Sequence, residues 1–501
     1  MNKRELKMLF NSIPFLIFFP IVAGLYLLLP KKIKPIWLLL ASYYFYMSWN
    51  YKYVVLILFT TVVTYAAGLL IGKADALSKK KLFLVLGLVL NFGLLFFFKY
   101  FGFFLENVSK ILSVFKIGVI DNPFDFLLPV GISFYTFQAV GYCIDVYRGD
   151  IKAERNFIRY ALFVSFFPQL VAGPIERSKN LLSQINEIGE KKMVSYEKAV
   201  SGFGMMLWGL FLKMVVADRV SIMVDEIFKN IYRIGTVEAV FGAAGFSLQI
   251  YADFAGYSAI AIGAASVMGF ELMENFNTPY FATSVGDFWH RWHISLSTWF
   301  RDYVYIPLGG NRKGKARKYL NIFVTFIVSG LWHGASWSFA IWGGLHGLYQ
   351  VIGDLLKPAR EKTGKILGLN KDTAGYKVGQ ILLTDLLVGF AWIFFRTSSV
   401  KQAFSYIERM FTHFNPWVIF DESLLNWGLD YREMMILLGA VLLLIIVSLI
   451  RYKKGLDVGD FLYSQDMIFR WAVFILLILS IIVFGEYGTD FDSGKFIYFD
   501  F

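Results

Sequence analysis

The chain is poor in what a secreted, metal-binding or soluble catalytic domain would need. Among 501 residues Cys143 is the single cysteine, which excludes an internal disulfide and any cysteine-rich metal site. Charged residues make up 17% of the chain against 57% hydrophobic and 19% aromatic, and mean hydropathy is +0.56. A soluble chain of this length needs far more charge, so the composition is that of a polytopic membrane protein. No phosphate-cradling glycine loop, G-x-S-x-G elbow or H-E-x-x-H pair occurs, and with them go the commonest soluble-enzyme motifs. There is no fixed-period repeat and no low-complexity linker.

Apolar sequence is abundant, recurring from Ile13–Leu29 to Ile468–Phe484. A crossing needs roughly 20 apolar residues, and several runs are short or broken, so about eleven transmembrane helices are expected. The fold class is all-α, one integral membrane unit over 1–501, with N-terminal spans in 1–105, a core in 124–353 and C-terminal spans in 380–501. Met-Asn-Lys-Arg before the first run resembles a signal peptide, but "LLLPKK" follows where small residues should stand, which reads as an uncleaved span. The net charge of +12 does not point to nucleic acid, because the basic residues sit in short loops between apolar runs. Lys31–Lys34, Lys79–Lys81, Arg312–Lys318, Lys357–Lys365 and Arg451–Lys454 are the clusters, and the positive-inside rule turns them to the cytoplasm. The N-terminal tail, Arg396–Glu433 and the tail after Gly485 then fall outside, the first despite Lys3, Arg4 and Lys7.

Texture changes in the core. Between Phe124 and Leu348 the apolar segments acquire prolines, glycines and isolated polar groups, which are costly at membrane depth unless they line a cavity or pack inside protein. Tyr319 to Gly353 is 35 residues without Asp, Glu, Lys or Arg. One straight helix of that length would run roughly 50 Å against a hydrocarbon core of about 30 Å, so a break is expected at Ser329-Gly330, Gly334 or Gly343-Gly344. His333 lies beside two of these points, embedded, where burial keeps an imidazole neutral and able to take a proton from a hydroxyl. The structural alternative is a histidine bonded to a carbonyl freed by the break.

Two of the five histidines stand in "DFWHRWHISLSTWF". Trp289, Trp292, Leu296, Trp299 and Tyr303 follow helical spacing, while Asp287, Arg291, Arg301 and Asp302 make the segment amphipathic. An interfacial helix is expected, with tryptophans as anchors and His290 and His293 on one face. With Asp287 they could bind zinc, but no fourth ligand is near, and no metal is expected. Asp253 in "YADFAGYS" is expected to be buried and paired; Glu176-Arg177 is a loop ion pair or a substrate contact. His346 is a supporting or packed histidine, and His413 is surface.

With those residues laid out, the chain resembles the membrane-bound O-acyltransferase family, most closely its bacterial alginate O-acetyltransferase branch. The stretches that carry the resemblance are "LLPVGISFYTFQAVGYCIDVYRG", "FFPQLVAGPIER", "QIYADFAGYSAIAIG", "ENFNTPY", "DFWHRWHISLSTWFRDYVYIPLGGNR", "GLWHGASWSFAIWGGLHG" and "KFIYFDF", in the family's order from Leu127 onward. The resemblance implies that His333 is the catalytic histidine and that His293 occupies the second motif position. His290 stands where the branch has Arg, and Ala252 and Ala255 replace Cys and Ser, which argues against roles for those side chains. Asp253, Trp332, Trp289, Arg301, Glu176, Arg177 and His346 are the candidate substrate contacts.

The implied fold is a multi-helix body with interfacial and broken helices around a central tunnel. The bacterial branch implies a multi-pass protein of the inner (cytoplasmic) membrane, and no cofactor is implied beyond acetyl-CoA, the acyl donor from the cytoplasm. The implied acceptor is a hydroxyl of an extracytoplasmic exopolysaccharide such as alginate or of a cell-wall glycan, reached through an SGNH-type, esterase-like partner. Two alternatives remain: transfer of D-alanine from an acyl carrier protein to teichoic acid, since a basic cytoplasmic surface could dock an acidic carrier, and a transporter or flippase, since broken helices with embedded histidines also occur there.

Overall fold

The computed structural model describes residues 8–118, 120, 122, 128–171, 173–190, 194–487 and 497. The N-terminal tail with Lys3, Arg4 and Lys7, Leu127 and Ala172 of two motifs, and "KFIYFDF" apart from Ile497 lie outside the described residues. Among the described residues there is no strand beyond one isolated bridge, and the chain is helical. Hydrocarbon offers backbone groups no partner, so a spanning segment must satisfy them internally.

The chain divides into two compact units, Met1–Met206 with Ile260–Met273, and Leu207–Ala259 with Glu274–Phe501. The first contains α1 (Ile13–Leu28), α2 (Lys34–Met47), α3 (Tyr53–Lys73), α4 (Leu77–Val114), α5 (Ile132–Arg148), α6 (Phe157–Ser165) and the start of α7 (Tyr196–Lys229). Ser12 starts α1 by accepting a hydrogen bond from the Phe15 amide, with proline in the first turn. Small residues let this unit close: Gly68 of α3 lies against the Tyr142 ring of α5, and the Tyr160 hydroxyl donates to Thr64 Oγ1 at 2.7 Å.

The second unit holds the rest of α7, most of α8 (Thr236–Val267), α9 (Val285–Arg291), α10 (Ile294–Phe300), α11 (Lys315–His333), α12 (Trp337–Leu355), α13 (Ala374–Arg396), α14 (Val400–Thr412), α15 (Tyr431–Lys454) and α16 (Met467–Phe484). Among the described residues seven helices, α3, α4, α7, α8, α13, α15 and α16, are long and apolar enough to cross a membrane. About eleven were expected. The difference lies in α1, α2 and α5, which at 16, 14 and 17 residues fall short of a crossing, and in α11 and α12, which at 19 residues each are long enough but not apolar enough.

The expected break in the charge-free stretch falls at Gly334, which is extended between α11 and α12, and Ser336 restarts the helix by accepting from the Phe339 amide. Gly330 and Gly343 are not breaks. A methyl on Gly330 would strike the Phe339 carbonyl, and one on Gly343 the Phe326 carbonyl. They are the points where two antiparallel helices touch backbone to backbone.

Candidate active site

The segment around His293 is not the single helix its spacing suggested. α9 ends at Arg291; Trp292 is extended, and His293 takes the left-handed conformation, φ 43° and ψ 53°, before α10 begins. The cause is a pairing invisible to helical periodicity. Trp292 bridges Phe276 antiparallel, the Asn277 amide donates to the Arg291 carbonyl at 2.9 Å, and the Ile294 amide donates to the Asn275 carbonyl at 3.0 Å. Two expectations fail as a result. His290 and His293 do not share a face: His290 is exposed, its ring against the Gly286 carbonyl, whereas His293 is 0% exposed. Nor are the tryptophans surface anchors, since Trp289, Trp292 and Trp299 are all buried.

His293 lies outside the seven spanning helices. Its Nδ1 is 3.3 Å from Asn275 Oδ1, which also accepts from Ser295 Oγ at 2.6 Å, while Asn275 Nδ2 donates to Ser258 Oγ at 3.0 Å. The amide is thereby oriented with its oxygen toward the ring, so the proton belongs on Nδ1 and the basic lone pair on Nε2. Burial lowers the imidazole to about 3, so the ring is neutral.

His333 is the last residue of α11 and 3% exposed. Its ring lies 6.4 Å from that of His293, centroid to centroid, with Trp332 4.9 Å from His333 and 6.1 Å from His293. Trp342 at 5.0 Å and Phe395 at 5.3 Å meet His333 edge to face, as Phe254 at 4.7 Å meets His293. The walls are aromatic, so a proton moved here meets little competition from water.

His346 stands one helix face away, packed on Trp342. Its Nδ1 accepts from the Trp289 indole at 3.1 Å, which assigns the proton to Nε2. A cavity of about 310 Å³ lies beside the pair, its wall including Trp289, His290, Ile294, Ser329 and Arg301. Ile294 follows His293, and Ser329 sits one turn before His333. Arg301, ion-paired to Asp302 and mostly exposed, stands at the cavity's edge.

The structure thus brings together His333, His293, Trp332, Trp289 and His346, with Arg301 on the adjoining cavity. Asp253 is buried and paired, as expected: Lys213 Nζ reaches Asp218 at 2.7 Å and Asp253 at 2.8 Å, and the second oxygen of Asp253 accepts from the Ile497 amide. Glu176 and Arg177 belong to the first unit. Buried Glu176, raised by desolvation to about 7, accepts from the Met273 amide and from Asn180, and so acts as a loop fastener there. His413 is exposed. Asn275 was not singled out, nor were Phe254, Trp342 and Phe395. A lone Asn in a loop has no periodic signal, and only its pairing with 291–294 reveals it. Among the described residues no three His, Cys, Asp or Glu converge as metal ligands.

The fold is that of a helical, multi-pass membrane protein, and its second unit holds two buried histidines side by side next to a cavity. The membrane-bound O-acyltransferase family model matches residues 153–364. A probable alginate O-acetylase of Pseudomonas aeruginosa is 39% identical over 415 residues, 82% of this chain and 76% of that protein. A peptidoglycan O-acetyltransferase of Helicobacter pylori is 34% identical, covering 81% and 80%. A teichoic acid D-alanyltransferase of Bacillus subtilis is 28% identical over 45% of this chain and 59% of its own length. The chain belongs to the membrane-bound O-acyltransferase family and is an O-acyltransferase.

Proposed function

We propose that the protein transfers an acetyl group from cytoplasmic acetyl-CoA to hydroxyls of an extracytoplasmic polysaccharide or cell-wall glycan, by way of a partner protein, in a bacterial cytoplasmic membrane. The observation that carries this reading is the pair of buried rings 6.4 Å apart. His333 takes the proton of the acceptor hydroxyl as its oxygen attacks the thioester carbonyl. The C–S bond breaks, and the proton passes from the imidazolium to the departing thiolate. His293, held through Nδ1 by Asn275, presents Nε2 to position the donor or acceptor. The N-terminus of α12, four residues past His333, directs its amides and the positive end of the helix dipole toward this end of the hairpin and could hold the oxyanion.

The acetyl reading draws support from the relatives. The two named for O-acetylation align over four-fifths of this chain, against 45% and 55% for two D-alanyltransferases. The cavity's edge at Arg301 is a fitting place for an anionic donor. Purified protein with its partner, given radiolabelled acetyl-CoA, should pass label to the partner or glycan. Label transfer only from a D-alanyl-charged carrier would replace the acetyl reading with the D-alanyl one.

A further inference from the structure

A large groove in the second unit is unused by this mechanism. It holds about 860 Å³ between α8, α13 and α15. From Thr236 to Tyr251 its wall runs about 22 Å along α8 at 1.5 Å per residue. Only 39% of the apolar stretch of α13 and 22% of that of α15 are buried in the protein, so its walls face hydrocarbon, where water does not fill a void. The ionisable groups gather at one end, while Thr236 and Ser247 are the polar side chains along the α8 wall. Tyr251, Tyr280, Ser448 and Asp385 line it there, and Arg451, one turn beyond Ser448 and paired to Glu274 at 3.2 Å, stands behind the lining and acts electrostatically on Tyr251. Oδ1 of Asp385 is buried with no hydrogen-bond partner among the described residues.

We propose that this groove binds a phospholipid with a primary ammonium head, one acyl chain lying along α8 and the ammonium donating to Asp385. The apolar length fits a chain and excludes a sugar. The carboxyl and the neighbouring Arg451 complement the two charges of a zwitterionic head. At its polar end the groove meets the wall behind the active site, since the Tyr251 and Tyr280 rings lie 6.3 and 6.2 Å from Trp292, the neighbour of His293. The bound lipid therefore braces the backbone that carries His293.

Gly389 offers a clean test, because a side chain there would meet only Ser247 Oγ, at 3.7 Å, before entering the groove. The full-length protein, purified in mild detergent from membranes holding phosphatidylethanolamine and phosphatidylcholine, is assayed for retained lipid by native mass spectrometry. The unaltered chain should retain phosphatidylethanolamine several-fold over phosphatidylcholine. Gly389→Leu should lose most retained lipid, and Asp385→Ala should keep a chain but lose the preference. Equal retention by Gly389→Leu, or an intact preference in Asp385→Ala, overturns the proposal. A phosphatidylethanolamine with a diazirine at its chain end, photolysed on the unaltered protein, should label peptides around Val240 and Met410; labelling confined to the outward faces of the spans overturns it without any variant.

Discussion

His293 occupies a backbone conformation that few side chains accept. A non-glycine residue in the left-handed region costs on the order of 1–3 kcal/mol and persists where the surroundings enforce it; here the bridge to Phe276 and the amides of Asn277 and Ile294 do so. Asn tolerates this region better than Ala, so His293→Asn should keep about 1 kcal/mol more stability than His293→Ala in thermal unfolding. The depressed imidazole also ties stability to pH. Its folded value of about 3 lies below the ordinary 6.5, so between those limits the unfolded chain binds the extra proton. That contribution is complete above 6.5 and is lost as pH falls. Melting temperature should therefore drop between pH 6.5 and 4, and drop less in His293→Asn; equal slopes would mean His293 is not buried neutral. Asn275→Ala removes the Nδ1 anchor of His293, and a misplaced positioning group costs about 10²-fold, so transfer should fall by that order with the chain still folded. His290 lines the neighbouring cavity without belonging to the buried pair, so His290→Ala should impair transfer less than Asn275→Ala.

Among the elements, the α11–α12 hairpin depends on glycine contact rather than on side-chain packing. Gly343→Leu would drive a side chain into the Phe326 carbonyl. Overpacking of this kind costs about 1–3 kcal/mol, and because His333 ends α11, transfer should fall together with melting temperature. The hairpin was legible in sequence: 35 residues without charge must fold back, and Gly334 was one of three possible breaks. What failed was the assignment of Gly330 and Gly343, since glycine as a breaker and glycine as a contact look alike until the partner helix is known. The Trp-His segment failed for a related reason. Its 3–4 spacing is compatible with one helix, and the strand-like pairing that breaks it comes from residues near 276, outside any local window.

At the scale of the molecule, composition alone carried the class: an apolar, all-α, multi-pass chain. The number of spans was less legible, because membrane-embedded helices that stop short of a crossing have the same composition as those that cross. Stability of the second unit rests in part on Lys213 between Asp218 and Asp253, all buried. Removing one member of such a group strands its partners and costs about 3–5 kcal/mol. Lys213→Met should therefore lower expression and melting temperature well before any effect on donor binding is measurable. Asp253 drew attention in the sequence as an ionisable group beside an apolar run, but sequence could not name Lys213 as its partner at a separation of 40 residues.

The most direct measurement is the acyl-transfer rate of His333→Ala in membranes where its insertion matches that of the unaltered protein. A general base in this position is worth about 10²–10⁴-fold, so the expected result is a loss of that size, with His293→Ala also strongly impaired. Transfer by His333→Ala near the unaltered rate would contradict the assignment of the buried pair as the catalytic centre.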